Sequence, residues 1–495
     1  MAFIDSTVVN VALPALQQSF GASVVAVQWV IEAYGLALGA LILVGGSMGD
    51  LFGRRRMFLL GVAVFAVASA ACGFAGSIQQ LIIARAVQGI GAAFLVPGSL
   101  SLISASFDES ERGRAIGTWS GFTAITTAIG PLLGGWLIEH LSWRWAFFIN
   151  LFLAAIVIVV TLLRVPESKS GKAGAIDWLG AIAATISLSA LVFGFVESSN
   201  LGWRNPWIVL SLAVGAVSAL SFVWIESKAP SPMVPLGLFR SGAFAGTNLL
   251  TLFLYAAFGI FFFVLPLNLI QVQGYSATAA GAAILPLILI NFVLSRWSGG
   301  LVQRYGARGP LIIGTAITTL GFLLFALPGV GGSYWTTFFP GLVVTGLGMA
   351  VSVAPLTTVV MDAVDSDHVG TASGINNAVA RVAGVLAVAV LGAVMIADFS
   401  AHLDRRLASS VVPPAARASL ESQHDRLAAL KPPPELNSDT AEAIESSIKE
   451  SFVTSFRLIM WICAALCLAA AGTAWTWIPG EATLKASQSE IVNAA

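Results

Sequence analysis

Charge is what this sequence has least of. Of 495 residues only 10% are charged, where a soluble domain carries about 25%. Another 57% are hydrophobic and the mean hydropathy is +0.87. A soluble fold of this size could not cover itself with so little polar surface, so a soluble enzyme is excluded. The 25 basic residues balance the 25 acidic ones, which leaves no electrostatic footprint for nucleic acid. Cysteine is scarce as well: Cys72, Cys463 and Cys467 all fall in apolar runs. They read as small buried residues, not as a disulfide framework or a metal site. None of the histidines (His140, His368, His402, His424) lies well inside an apolar run, so a proton step within the membrane falls to carboxylates. No Gly-x-x-x-x-Gly-Lys-Ser/Thr phosphate loop occurs, which leaves an ion gradient as the energy source, and no cofactor is expected. The apolar runs also carry no His-Glu-x-x-His, Ser/His dyad or paired aspartates, so an enzyme embedded in the bilayer is not expected. No basic segment precedes the first apolar run, and no cleavable signal peptide is expected.

Long apolar runs fill the rest. A helix needs about 20 apolar residues to cross a hydrocarbon core of about 30 Å. Runs near 1–20, 24–45, 57–76, 79–104, 113–138, 144–164, 176–198, 206–226, 243–270, 276–297, 309–328, 335–361, 369–397 and 452–478 predict about fourteen spans. The fold class is an all-α integral membrane protein. Basic residues crowd alternate short loops: Arg54–Arg56; Arg112 and Arg114; Arg164, Lys169 and Lys172; Lys228 and Arg240; Arg296, Arg304 and Arg308. The other short loops hold only Arg144 and Arg204. The positive-inside rule makes the first set cytoplasmic, puts both termini in the cytoplasm and leaves the long segment 399–450 outside. In that segment Asp439 and Glu442 open like a capping box. Ile444, Ile448, Phe452 and Phe456 then recur every four residues, predicting an amphipathic helix that runs into the last span. It could lie on the membrane, cover a cavity mouth or simply end a solvated linker.

The sequence also repeats itself. Gly46-Ser-Met-Gly-Asp50-Leu-Phe-Gly53-Arg-Arg55 returns 253 residues on as Gly299-Gly-Leu-Val-Gln303-Arg-Tyr-Gly306-Ala-Arg308. Gly89-Ile-Gly91 is echoed by Gly346-Leu-Gly348, and Gly113 and Gly117 by Gly370 and Gly374. Two bundles of six helices follow, an arrangement found among transporters. The expected units are a first bundle over 1–165, a two-helix insert with linkers over 166–240, a second bundle over 241–480 and a cytoplasmic tail over 481–495. The inserted helices near 176–226 are expected to be peripheral.

At this point the chain resembles a known family, the major facilitator superfamily, and within it the fourteen-helix drug–proton antiporters. Asp5-Ser-Thr-Val-Val-Asn10-Val-Ala-Leu-Pro14 is similar to that family's first-helix motif, and Gly46 to Arg56 to the signature of the loop between helices 2 and 3. Arg85-Ala-Val-Gln88-Gly89-Ile-Gly91 resembles the fourth-helix motif with its membrane arginine. Gly121, then Gly130-Pro131-Leu-Leu-Gly134-Gly135, resembles the fifth-helix motif of exporters. Its counterparts in the second half are Ala387, Val388, Leu391 and Gly392. Leu51 and Gln303 depart from the loop signature, the one in place of a base and the other of an acid. The family's first helix also carries a longer lead before its aspartate than Met1 to Ile4, so the inner end of helix 1 is expected to be missing here.

The resemblance implies proton-coupled export of amphipathic drugs or toxic compounds by alternating access. It places a monomer in the plasma (inner) membrane, with a small-molecule substrate, protons and the lipid bilayer as partners. A proton-coupled exporter of one endogenous metabolite or lipid is the alternative. Asp5, Glu32, Arg85 and Arg381 are the candidate proton and charge network. Charges inside a span are costly and should face partners or a cavity. Asp5 could instead be an interfacial acid near a chain end, and Arg85 half of a fixed structural pair. Counting depth along the helices puts Glu32 and Arg381 level with one another, and the resemblance implies that their helices line the contact between the halves, so a cross-half ion pair is expected, with Asn377 beside it and Arg85 competing for Glu32. Asn10, Gln88, Asn376 and Asn377 are the candidate cavity lining. Gly46, Asp50, Gly53, Arg54 and Arg55 form a candidate conformational latch, or simply a topology signal.

Overall fold

The computed structural model describes residues 1–107, 119, 122, 126, 129–169, 176–298, 301–364, 369–408, 413–421 and 423–479. Among them all regular structure is helical, as it must be where no water can satisfy an open backbone. The first half comprises α1 (Ala2–Phe20), α2 (Val24–Phe52), α3 (Arg54–Phe74), α4 (Ile78–Ser106), α5 (129–140) and α6 (Trp145–Arg164). The insert is α7 (Trp178–Leu201) and α8 (Pro206–Glu226). The second half comprises α9 (Gly242–Leu267), α10 (Ala277–Ala283), α11 (Leu285–Ser298), α12 (Leu301–Tyr305), α13 (Arg308–Phe325), α14 (Tyr334–Thr337), α15 (Phe339–Asp362), α16 (Val369–Ala408), α17 (Pro414–Glu421) and α18 (Ser438–Trp477). Ser23, Ser77, Asp177, Asn205, Ser241, Ser276 and Asn437 start seven of these helices, each side chain accepting a backbone N–H of the first turn.

Twelve stretches of the described residues are long and apolar enough to cross a membrane. The first expected span, now α1, is not one of them, and half of the expected span 113–138, with Gly121, lies outside the described residues. The expected span 276–297 is broken at Ile284. Pro286 stands just beyond, and its ring excludes the carbonyl four residues back while its missing N–H removes a helical bond.

The internal repeat is expressed in three dimensions. A Cβ on Gly89 would lie 2.5 Å from the Tyr34 carbonyl oxygen of α2, and one on Gly91 2.6 Å from the Phe65 nitrogen of α3. Their echoes repeat the arrangement: Gly346 meets the Leu287 backbone of α11 at 2.9 Å and Gly348 the Thr318 backbone nitrogen of α13 at 2.5 Å. Small residues thus bring membrane helices into backbone contact, which is how packing gains energy where lipid removes the hydrophobic drive. The repeated loop glycines also match, with φ of +114° at Gly53 and +70° at Gly306, conformations that favour glycine.

The segment 399–450 is mostly not a loop. α16 and α18 have 40 residues each, or about 60 Å at 1.5 Å per residue, twice the hydrocarbon thickness. Their extensions pair as a hairpin, with Phe399, Leu403, Leu407, Ile444, Ile448 and Phe452 all buried. Arg406 pairs with Glu450, and Ser455 Oγ donates to Asp398 Oδ2 at 2.7 Å. The expected amphipathic helix is present, but Asn437 caps it, two residues ahead of the anticipated box. It packs on α16 instead of hanging as a solvated linker.

The insert corrects another expectation. α8 packs on α7 and is peripheral, but α7 packs against both α2 and α16, so it bridges the two halves. Leu188 of α7 approaches Gly39, and Trp29 Nε1 donates to Glu197 Oε1 at 2.7 Å.

Elsewhere the halves meet along α2–α16 and α1–α9. At the end remote from Arg54–Arg56, α5 and α10 touch backbone to backbone. A Cβ on Gly135 would lie 2.3 Å from the Ala277 carbonyl oxygen, and one on Gly281 2.1 Å from that of Pro131. Gln271 Nε2 donates to Gln17 Oε1 across the same seam at 2.9 Å. Thr278 N–H donates to Glu139 Oε2 at 3.1 Å.

Gly281→Val should therefore force this seam open. Overpacking costs about 1–3 kcal/mol, which moves a closed–open equilibrium roughly 5- to 150-fold. Spin labels on Leu141→Cys and Trp335→Cys, both exposed at this end, should show a longer, broader distance distribution in the variant. Glu139 predicts a pH effect at the same place. Hydrogen bonding from Thr278, then Ser276, holds its carboxyl below the ordinary glutamate value of 4.5. A group lowered in the closed form contributes fully above its ordinary value, and the contribution fades as pH falls through the lowered one. The label distance should be constant at neutral pH and lengthen below about pH 4.5. Glu139→Gln should remove that dependence.

Candidate functional site

Five helices converge on one buried carboxylate. Asp5 of α1 has no exposed surface, and Arg85 of α4 is 1% exposed. Arg85 Nη1 lies 2.5 Å from Asp5 Oδ2. Gln88 Nε2 and Asn150 Nδ2 each donate to Asp5 Oδ1 at 2.9 Å. Gln88 Oε1 in turn accepts from Arg85 Nη1 at 2.7 Å, and Val30 O of α2 takes Arg85 Nε at 3.1 Å. Ser69 of α3 accepts from Gln88 and Asn150 and donates to Phe147 O at 2.9 Å. The guanidinium lies over the Tyr34 ring at 4.2 Å. Asp5 therefore takes a cation and two amide donors, the complete shell that an ionised group buried in protein requires.

Arg85 and Gln88 come together because three residues on a helix share a face. Gln88 is fully buried inside this cluster and not on an open cavity wall. Ser69, Tyr34 and Asn150 were not foreseen. Only Asn150 left a trace in the sequence, as a lone amide in the run from Trp145 to Ala155.

The expected pair of Glu32 with Arg381 is not made. Glu32 is fully buried and neither carboxylate oxygen has a hydrogen-bond partner. Opposite it, α16 presents its 385–388 turn: Gly35 packs on Val385, and Gln28 Nε2 donates to Val388 O at 2.8 Å. Arg381 instead lies level with Gly39, whose Cβ position is 4.0 Å from its own Cβ. Seven residues separate Glu32 from Gly39, roughly 10 Å along a helix. The depth count failed because α2 runs on to Phe52, past the end of its apolar run, so Glu32 stands farther from the inner end than a core of about 30 Å allows. Asn377, expected beside the pair, turns Nδ2 back to Ser373 O at 3.0 Å. Asn376 joins α16 to α9 through Asn248 Oδ1 at 3.1 Å and Thr251 Oγ1 at 2.7 Å. Asn10 is partly exposed on α1.

The loop after α2 is held inside the first half. Asp50 Oδ1 takes Arg54 Nη2 at 2.7 Å and Nε at 2.8 Å. Glu167, unforeseen in the sequence, caps α3 by accepting the N–H groups of Arg55 and Arg56 at 3.0 and 3.2 Å. Arg55 Nη1 donates to Val165 O. Gly46 faces Pro97 of α4 at 3.7 Å, and Gly53 lets the Glu167 carboxylate come within 2.8 Å of where a Cβ would stand. The described glycines of α5 also have a definite use. A Cβ on Gly130 would lie 1.9 Å from Thr7 Oγ1 and one on Gly134 2.8 Å from Val8 Cγ1. Together with Gly135 they bind α5 to α1 on one side and to the opposite half on the other, while Pro131 offers its carbonyl to Gly281.

Residues 1–388 match the Major Facilitator Superfamily. The chain belongs to that family. It is a membrane transporter of small molecules and not an enzyme. It is 35% identical to the Multidrug resistance protein Stp of Mycobacterium tuberculosis over 490 residues, which cover 97% of this chain and 90% of that one. It is 32% identical to the Tetracenomycin C resistance and export protein of Streptomyces glaucescens over 96% of this chain and 88% of that one. The fold is similar to that of a bacterial homologue of the human lysosomal transporter Spinster in an inward-facing, occupied conformation. There the TM-score is 0.63 at 18% identity, with 96% and 93% of the two chains covered.

Within this facilitator fold the Asp5 cluster predicts a specific pattern of stability. Removing one partner of a buried pair typically costs about 3–5 kcal/mol, whereas removing both charges is close to neutral. Asp5→Asn and Arg85→Met should each lower the melting temperature of the purified protein markedly. The double variant should recover most of that loss. Additive losses would show that the two charges do not act as a pair.

Proposed function

We propose that this chain exports amphipathic compounds in exchange for protons by alternating access. The observation that carries the reading is the buried Asp5–Arg85 pair, a carboxylate wired to a cation where five helices meet. Protonating Asp5 removes the charge that holds Arg85, so uptake of a proton frees a bond that ties α1 to α4. α1 is also the helix against which α5 and α9 pack, so a change in its hold is felt at the contact between the halves. The names of the relatives, a multidrug resistance protein and a resistance and export protein, support efflux as the direction.

The arginine distribution supports a cytoplasmic position for the Arg54–Arg56 end and for both termini. The α5–α10 seam then seals the outer side. Asp50 bonded to its own helix neighbour fits a cytoplasmic latch that is released in this state, with Gly46, Gly53, Arg54 and Arg55 forming its turn. α1 and the segment containing α5 bring the twelve spans to fourteen. The transporter works as a monomer in the plasma (inner) membrane. Glu32 is a second carboxylate available to the proton path, sealed between the halves as they stand here.

Inverted membrane vesicles acidified by respiration test the reading. Adding a transported amphiphile should partly collapse the pH gradient, followed by a pH-sensitive dye. Asp5→Asn, rescued for folding by Arg85→Met, should abolish the collapse and leave substrate binding within a few-fold. Proton-coupled transport that survives in that double variant would remove Asp5 from the mechanism.

A further inference from the structure

The charges that a substrate could reach between the halves are not balanced. Asp5 is fully buried and spent on Arg85, Gln88 and Asn150, and Glu32 is fully buried in the α2–α16 seam. Asp50 is held by Arg54 at the far end of α2. Arg381 differs: it is partly exposed and, among the described residues, has no carboxylate partner. Its guanidinium lies 5.9 Å from the ring centre of Phe3, which belongs to the opposite half. Phe3 stacks edge-on with Trp119 at 6.3 Å. One turn from Arg381 on the same helix face, Asn377 is exposed.

We infer that Arg381 and the aromatic side chains around it form a substrate-binding site for planar aromatic compounds carrying a carboxylate, sulfonate or phenolate. The inference rests on the exporter reading and adds the charge class of its substrate. An unpaired guanidinium in a space of low dielectric gains most from a bound anion. It offers a planar fork of donors that matches a carboxylate, while Phe3 and Trp119 supply faces and edges for a ring. A lipophilic cation meets the same guanidinium with repulsion, and the two acids of the neighbouring seam, Asp5 and Glu32, are fully buried and cannot offset it. The like-charge contact makes the site selective, as well as the attraction.

Equilibrium dialysis on the purified full-length protein tests this with three probes: 2-naphthoate, its uncharged analogue 2-naphthamide, and tetraphenylphosphonium. The wild type should bind 2-naphthoate at least about tenfold more tightly than tetraphenylphosphonium. Arg381→Gln should weaken 2-naphthoate about tenfold or more and leave 2-naphthamide unchanged, which also certifies that the variant is folded. Arg381→Lys should keep the preference for the anion with reduced affinity. Tighter binding of tetraphenylphosphonium by the wild type would overturn the inference. So would the absence of saturable 2-naphthoate binding, or equal loss of 2-naphthoate and 2-naphthamide in both variants. The exporter reading is judged separately: if tetraphenylphosphonium collapses the pH gradient and 2-naphthoate does not, export stands and the anion site falls.

Discussion

A carboxylate cannot sit in the middle of a bilayer protein without an organised shell, and much of the first half is arranged to give Asp5 one. Desolvating an ion costs several kcal/mol even after relaxation. Arg85 alone would leave lone pairs and protons unmet. Gln88, Asn150, Ser69 and the Val30 carbonyl close the set, and they come from α4, α6, α3 and α2. To bring polar groups from five helices within 3.2 Å of their partners, the backbones must approach closely. Gly89 and Gly91 sit beside Arg85 on α4 and provide that approach to α2 and α3. The motif from Arg85 to Gly91 is thus one device: its charge needs partners, and its glycines bring the partners near.

The second half uses the same glycine contacts without the ion pair. Gly346 and Gly348 dock α15 on α11 and α13 just as Gly89 and Gly91 dock α4. The polar group there is neutral: Asn376 bridges to Asn248 and Thr251. Its one nearby charge, Arg381, points out of the half toward Phe3. Duplication preserved the packing, which depends on volume, while the chemistry diverged. The proton chemistry proposed here is accordingly confined to one half, and substrate contact to the boundary.

Much of this was legible in the sequence because lipid narrows the choices. Apolar runs with a 3.6-residue fold can only be helices, and Arg85, Asp5 and the repeated glycines stand out against them. Residues whose meaning lies in tertiary contact were not legible. Ser69 and Tyr34 are ordinary residues in apolar helices until α4 and α6 arrive beside them. Glu167 reads as a linker acid, yet it caps α3. Helix register was lost for a related reason. Apolar runs mark the hydrocarbon, whereas α16 and α18 continue beyond it because Phe399, Leu403 and Leu407 find Ile444, Ile448 and Phe452 to pack against. At the inner end α2 likewise runs on to Phe52, past its apolar run, and that mismatch of about two turns produced the false pairing of Glu32 with Arg381.

The hairpin extending α16 and α18 has a consequence for opening at its own end. The turn His424–Ala429 lies between the two extensions and reaches back to both halves. Gln17 Nε2 of α1 donates to Arg426 O at 3.1 Å, and Arg426 Nη2 reaches Gly21 O at 3.4 Å. Gln17 is itself joined across the seam to Gln271. Beside Arg426, Leu427 is buried with φ at +51°, a conformation costly for any residue with a Cβ. That cost is met by burying its side chain at the seam. Separation of the halves at this end must therefore withdraw Leu427 and break the Gln17 bonds together with the α5–α10 contact. The cap and the glycine seam form one closure, and the energy that opens it must overcome both.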